Sequence, residues 1–116
     1  WGRVVAITSS TVREPSPVLI PSTTARAGLT GFLKTMATEV APDGVTVNSV
    51  QPGPHATDRL AEIYDDLDAV AAGVPVRRLG DPDDFGRVVA FLCSESARSI
   101  TGAALPVEGG SLRAIQ

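Results

Sequence analysis

The sequence predicts an α/β fold, the C-terminal part of a doubly wound parallel sheet with three strands and flanking helices, on three observations. The chain opens on an unbroken apolar, β-branched run, Val4, Val5, Ala6 and Ile7, the pattern of a strand buried on both faces. Two further strand-like runs follow at 45 to 50 and 103 to 107, with helical patterns between them. Strands that alternate with helices imply right-handed crossovers and a parallel sheet covered on both sides. Three strands make half of such a sheet, so residues 1–116 are expected to be one part of a single larger domain.

The elements can be justified in order. After the first strand, a helix is expected over about Thr23 to Val40, because Leu29, Phe32, Leu33, Met36 and Val40 form one apolar stripe at helical period. That stripe is expected to be core, or alternatively a subunit contact. "APDG" closes the helix, with Pro42 unable to continue it and Gly44 supplying the turn. "VTVNSVQ" reads as the second strand, stopped by "PGP", and a long loop runs from Pro54 to about Gly80. Asp65 to Asp68 fit the start of a short loop helix or its solvated face. "DPDDFGRVVAFLCS" begins with an aspartate cap, Pro82 at the first helical position and two acids in the first turn. Helix-start chemistry accounts for Asp81, Asp83 and Asp84 without a metal.

Composition narrows the classes of function. A chain 43% hydrophobic and 20% charged suits one ordinary domain with a modest core. Its net charge of −3, with ten scattered basic residues, excludes a phosphate-backbone binder, so no nucleic-acid partner is expected. No apolar run approaches the roughly 18 residues of a membrane span, and no signal-peptide pattern opens the sequence, so a cytoplasmic protein with no membrane partner is expected. Cys93 has no second cysteine to pair with and is expected to be a small buried hydrophobe on its helix.

The ordered set "GRVVAITSS", "STTARAGLTGFLKTMATEVAPDGVTVNSVQPG" followed by "TD", and "RRLGDPDDFGRVVAFLCSESARSITGAALPVEGG" resembles the C-terminal half of short-chain dehydrogenases/reductases, especially those like β-ketoacyl-carrier-protein reductases. The resemblance spans nearly the whole chain. It implies a Rossmann-type domain whose N-terminal half, outside this sequence, carries the glycine-rich dinucleotide turn. It also implies an oxidoreductase using NAD or NADP on a small carbonyl or alcohol substrate, assembled as a homo-oligomer, commonly a tetramer. No G-x-G occurs in the chain, as expected if the nucleotide half lies elsewhere.

Carried over residue by residue, the resemblance places the catalytic serine on Ser9, with Ser10 as the alternative one position on. Where such reductases place tyrosine stands Ser22, and where they place lysine stands Arg26. With one tyrosine, Tyr64, and one lysine, Lys34, no Y-x-x-x-K exists in any register. A phenol with an ordinary pKa of about 10 can be tuned toward working pH by a neighbouring cation, whereas an aliphatic hydroxyl is a poor acid and a poor base. Arg26 keeps the positive charge and offers a fork of donors suited to ribose hydroxyls. On the cofactor side the resemblance assigns Pro52, Gly53, the backbone of His55 and Thr57. The plainer reading is that "PGP" is a turn and Thr57 a helix start. His55 and Tyr64 are further candidates for the missing acid, and Asn48 is expected to be structural. Two functions stay open: a divergent NAD(P)-dependent oxidoreductase, and a non-catalytic relative that binds cofactor or assembles subunits.

Overall fold

The computed structural model describes residues 1–115. Strand β1 (Gly2–Ile7) leads through two short 3₁₀ turns to helix α1 (Ile20–Val40), and strand β2 (Val45–Pro52) follows. The helices α2 (Asp58–Ile63), α3 (Leu67–Gly73) and α4 (Pro82–Cys93) precede strand β3 (Ala104–Val107). The sheet is parallel in the order β1-β2-β3, with Gly2 opposite Val45 through Ile7 opposite Val50, and Ser49 opposite Ala104 through Pro52 opposite Val107. The three expected strands are therefore present with the expected direction, and α1 crosses between the first two. The expected pair of helical stretches between β2 and β3 is in fact three.

Alternation along β2 divides the core into two layers. Val47 packs with Leu33 and Ala37 of α1, while Val50 packs with Phe85 and Leu92 of α4. Because β2 is central, it is buried along nearly its whole length, polar residues included. Asn48 accounts for one of these: its Nδ2 donates to the Ile100 carbonyl at 2.8 Å, and its Oδ1 accepts from the Ala103 N–H at 3.0 Å. It clamps the turn that leads into β3, the structural role expected of it.

Two expectations are corrected. The apolar stripe on α1 is split: Leu33 is buried, but Leu29 and Phe32 are 39% and 63% exposed. The line that faces the sheet is instead Arg26, Thr30, Leu33, Ala37 and Val40, spaced by four and three, so polar residues occupy its end nearest the strand C-termini. Cys93 is exposed rather than buried. Phe85, Val88, Val89 and Leu92 form the packed face of α4, and Cys93 lies one residue, about 100°, beyond it. The helix starts follow the expected chemistry: the Asp81 carboxylate accepts from the Asp83 N–H at 2.7 Å, and that of Asp66 from the Ala69 N–H at 2.9 Å. Helix α1 ends in a 3₁₀ turn over Ala41–Asp43, and Gly44 takes the left-handed conformation with φ 72°.

Asn48→Ala orphans the Ala103 N–H and the Ile100 carbonyl at once, which is expected to cost about 2 kcal/mol. The midpoint of urea unfolding should fall accordingly, while Cys93→Ser should leave it unchanged within about 0.5 kcal/mol.

Candidate active site

The C-terminal ends of β1 and β2 lie side by side, and the segments leaving them carry most of the chemically distinctive residues. Ser9 follows β1 in extended conformation and caps the 3₁₀ turn Ser10–Val12. Its Oγ accepts from the Thr11 N–H at 3.2 Å and from the Thr11 hydroxyl at 2.9 Å. With both lone pairs engaged, the Ser9 hydroxyl has only its proton left to offer.

Ser22 and Arg26 sit one turn apart on α1. The Arg26 Nε donates to the Thr8 carbonyl at 3.1 Å, and its Nη1 donates to the Ser22 hydroxyl oxygen. One guanidinium thus ties α1 to the residue before Ser9 and holds an acceptor position of Ser22, again leaving a hydroxyl that donates. Nη2 has no partner among the described residues. Arg13 braces the same loop from outside, Nε donating to the Gln51 Oε1 at 2.6 Å and Nη2 to the Ala104 carbonyl at 2.6 Å.

Gly53 leaves β2 with its N–H donating to the Val107 carbonyl at 3.0 Å. A Cβ there would stand 2.6 Å from the Glu108 Cβ, so the glycine is required by the neighbouring strand exit. Two residues on, Pro54 and Ala56 pair with Gly80 through bonds of 2.9 Å each, a parallel bridge centred on His55. In such a bridge the central residue's own N–H and C=O point away from the partner, and those of His55 have no partner among the described residues. Its ring lies elsewhere. Nδ1 donates to the Gly53 carbonyl at 3.0 Å, the ring meets Phe85 edge-on at 5.1 Å, and the face covers Gly80, where a Cβ would come within 2.4 Å of Cδ2. Thr57 caps α2, its Oγ1 accepting from the Leu60 N–H at 3.3 Å, which is the plainer of its two readings and leaves its proton free.

Two cavities separate these residues. A cleft of about 230 Å³ has Ser9, Ser10 and Thr11 on one side, Pro52 to Pro54 along another, and Leu60 and Tyr64 across from them. His55 lines a different cavity of about 170 Å³ with Phe85, Val74 and Val107. The structure therefore brings Ser9, Pro52 and Gly53 together, links Ser22 and Arg26 to the edge of that group through Thr8, and turns the His55 side chain away. Thr11 and Arg13 escaped the sequence reading. The hydroxyl run "TSST" was the available sign of the first; nothing local marks the second.

The model of the family described as enoyl-(acyl carrier protein) reductase matches residues 1–111. The chain is 43% identical over 111 residues to the acetoacetyl-CoA reductase of Cupriavidus necator, covering 95% of this chain and 45% of that protein. It is 51% identical over 87 residues to the 3-oxoacyl-[acyl-carrier-protein] reductase of Vibrio cholerae, covering 74% and 36%. The chain belongs to the short-chain dehydrogenase/reductase family. Within the family it resembles the ketoacyl-carrier-protein reductases, and it spans about half the length, or less, of the curated relatives it matches. Among solved family structures, YwfH, an NADPH-dependent reductase involved in bacilysin biosynthesis, superposes with a TM-score of 0.94 at 30% identity, over 99% of this chain and 48% of that one. An NADPH-bound short-chain oxidoreductase of Pseudomonas aeruginosa containing an atypical catalytic center superposes with a TM-score of 0.88 at 30% identity, over 97% and 47%. The three-stranded sheet is thus part of a Rossmann-type fold.

The packing of His55 on Gly80 yields a coupled prediction. Gly80→Ala is expected to destabilise by about 1–3 kcal/mol through overpacking against the ring. His55→Ala should remove most of that added cost, and a double-mutant cycle in denaturant measures the coupling.

Proposed function

We propose that this chain supplies the catalytic half of an NAD(P)-dependent oxidoreductase that transfers hydride between its cofactor and a small carbonyl or alcohol substrate, with a divergent centre. The observation that carries the reading is Arg26, half-buried at the strand ends and fastened to both Thr8 and Ser22. Such a cation, with one amino group free, fits the hydroxyls of a nicotinamide ribose. The unpaired N–H and C=O of His55 fit the carboxamide, and the Thr57 hydroxyl offers a further donor. Pro52 and Gly53 would form the adjoining wall. Bound there, the reduced nicotinamide would supply the hydride.

The residues of the chain would do the rest. Ser9 and Ser22, their oxygens occupied as acceptors, donate toward the substrate carbonyl oxygen and stabilise the charge that develops on it. Neither is a useful general acid, so the step that tyrosine serves in the family is weakened at Ser22. NADPH binding by the Pseudomonas aeruginosa relative that contains an atypical catalytic center supports cofactor use here. A homo-oligomer, commonly a tetramer in this family, agrees with the exposed Leu29 and Phe32 on α1. No described helix is long and apolar enough to cross a membrane, and a cytoplasmic location is part of the proposal.

The test is cofactor binding and oxidation by the full-length protein against a panel of carbonyl compounds. Wild type is expected to bind NADH or NADPH and to reduce simple ketones slowly. Ser22→Tyr/Arg26→Lys should raise turnover, up to the roughly 10²- to 10⁴-fold that general acid catalysis contributes. Absence of binding to either cofactor refutes the reading, and strong wild-type activity abolished by Ser22→Ala refutes the weak-acid account of Ser22.

A further inference from the structure

We infer that Tyr64 is the proton donor that replaces the missing helix tyrosine, so that the acid of this site comes from the junction of α2 and α3 and not from α1. The inference rests on the oxidoreductase reading above and adds a residue that the family pattern does not assign. Its basis is the partition of the two candidate acids between the cavities. His55 is spent on the Gly53 carbonyl and packed against Phe85 and Gly80, outside the cleft that holds Ser9. Tyr64 lines that cleft, and it is the one titratable side chain among the described residues that do.

Its position suits a movable acid. Tyr64 is the residue at which α2 ends, its N–H donating to the Leu60 carbonyl at 3.0 Å, and the backbone turns extended there before α3 begins. Helix α2 is exposed along most of its length, so little packing opposes its movement over the cleft, as lids require. The phenol has no hydrogen-bond partner among the described residues, and the side of the residue open to solvent, 43% of its surface, gives water access to it.

The proton balance closes without a further group. As hydride from the reduced nicotinamide forms the new C–H bond, the C=O π pair moves onto oxygen. The resulting alkoxide, held by the Ser9 and Ser22 hydroxyls, takes the Tyr64 proton to become the alcohol. The phenolate left behind is reprotonated by solvent. In this direction the phenol acts as proton donor. The reverse reaction needs the phenolate, and alcohol oxidation should therefore rise steeply with pH while ketone reduction does not.

The test uses the full-length protein with NADPH or NADH, whichever it binds, and ethyl acetoacetate as the carbonyl probe. Tyr64→Phe should lower kcat by about 10²-fold or more, with KM and cofactor affinity within about threefold. In the Ser22→Tyr/Arg26→Lys background the same change should be nearly silent, because the acid is then restored on α1. Fluorotyrosine placed at position 64 should shift the pH profile of alcohol oxidation toward lower pH, and its fluorine NMR signal should move when ethyl acetoacetate is added. Retention of kcat within about threefold in Tyr64→Phe overturns the inference. So does a pH profile unmoved by the fluorinated residue, even if Tyr64→Phe proves unstable. A wild-type protein that binds neither cofactor fails at the oxidoreductase reading, and the inference falls with it; one that binds cofactor but is indifferent at position 64 loses this inference alone.

Discussion

The bond from the Arg26 guanidinium to the Thr8 carbonyl is the contact on which the arrangement of this site depends. Thr8 lies one residue past β1: its N–H makes the last bond to β2, to the Val50 carbonyl at 2.9 Å, and its own carbonyl needs a donor. A side chain on the second turn of α1 supplies it. That bond ties α1 to the strand ends beyond the Leu33, Ala37 and Val47 packing, and Nη1 of the same guanidinium donates to the Ser22 hydroxyl. A lysine has one donor centre at the end of a flexible stem and cannot brace two points with the same rigidity. Arg26→Lys would therefore change geometry more than charge.

Around that contact the backbone is crowded wherever strands exit. Gly53 passes against Glu108, and Gly80 lies under the His55 ring, each closer than any Cβ permits. These approaches close the loops after β2 and β3 over one another and leave His55 with an exposed edge of backbone while its ring is absorbed into packing. One residue thus presents its main chain to the candidate cofactor wall and its side chain to the Phe85 layer. This explains how the only histidine can lie beside the site without sharing its chemistry.

Much of the architecture was legible from the sequence. Val4 to Ile7 could be assigned to a strand because β-branched residues in an unbroken run suit nothing else as well. The expected burial on both faces is corrected: Val4 to Ala6 are only half-buried and Ile7 is 59% exposed, because β1 is the edge of this three-stranded sheet. The caps at Asp66 and Asp81 were readable because a carboxylate serves the N–H groups two or three residues on, a local interaction. Ser22 and Arg26 were singled out by the resemblance to the family, carried over residue by residue. Harder to read was the facing of α1: Leu29 and Phe32 complete a convincing apolar stripe, yet Arg26 and Thr30 take the inward line, with Arg26 bonded to the Thr8 carbonyl at the end of β1.

The sequence by itself determined the order of the three strands, the helix starts at Asp66 and Asp81 and the absence of any Y-x-x-x-K, all of which depend on residues a few positions apart or on composition. Only the tertiary structure decided that His55 and Tyr64 fall into different cavities, that Thr11 saturates Ser9, and that Arg13 reaches Gln51 and Ala104, 38 and 91 residues away. Those outcomes follow from how β2 is sandwiched between α1 and α4. Which side chain faces which cleft is fixed by packing between elements distant in sequence, and no local pattern encodes it.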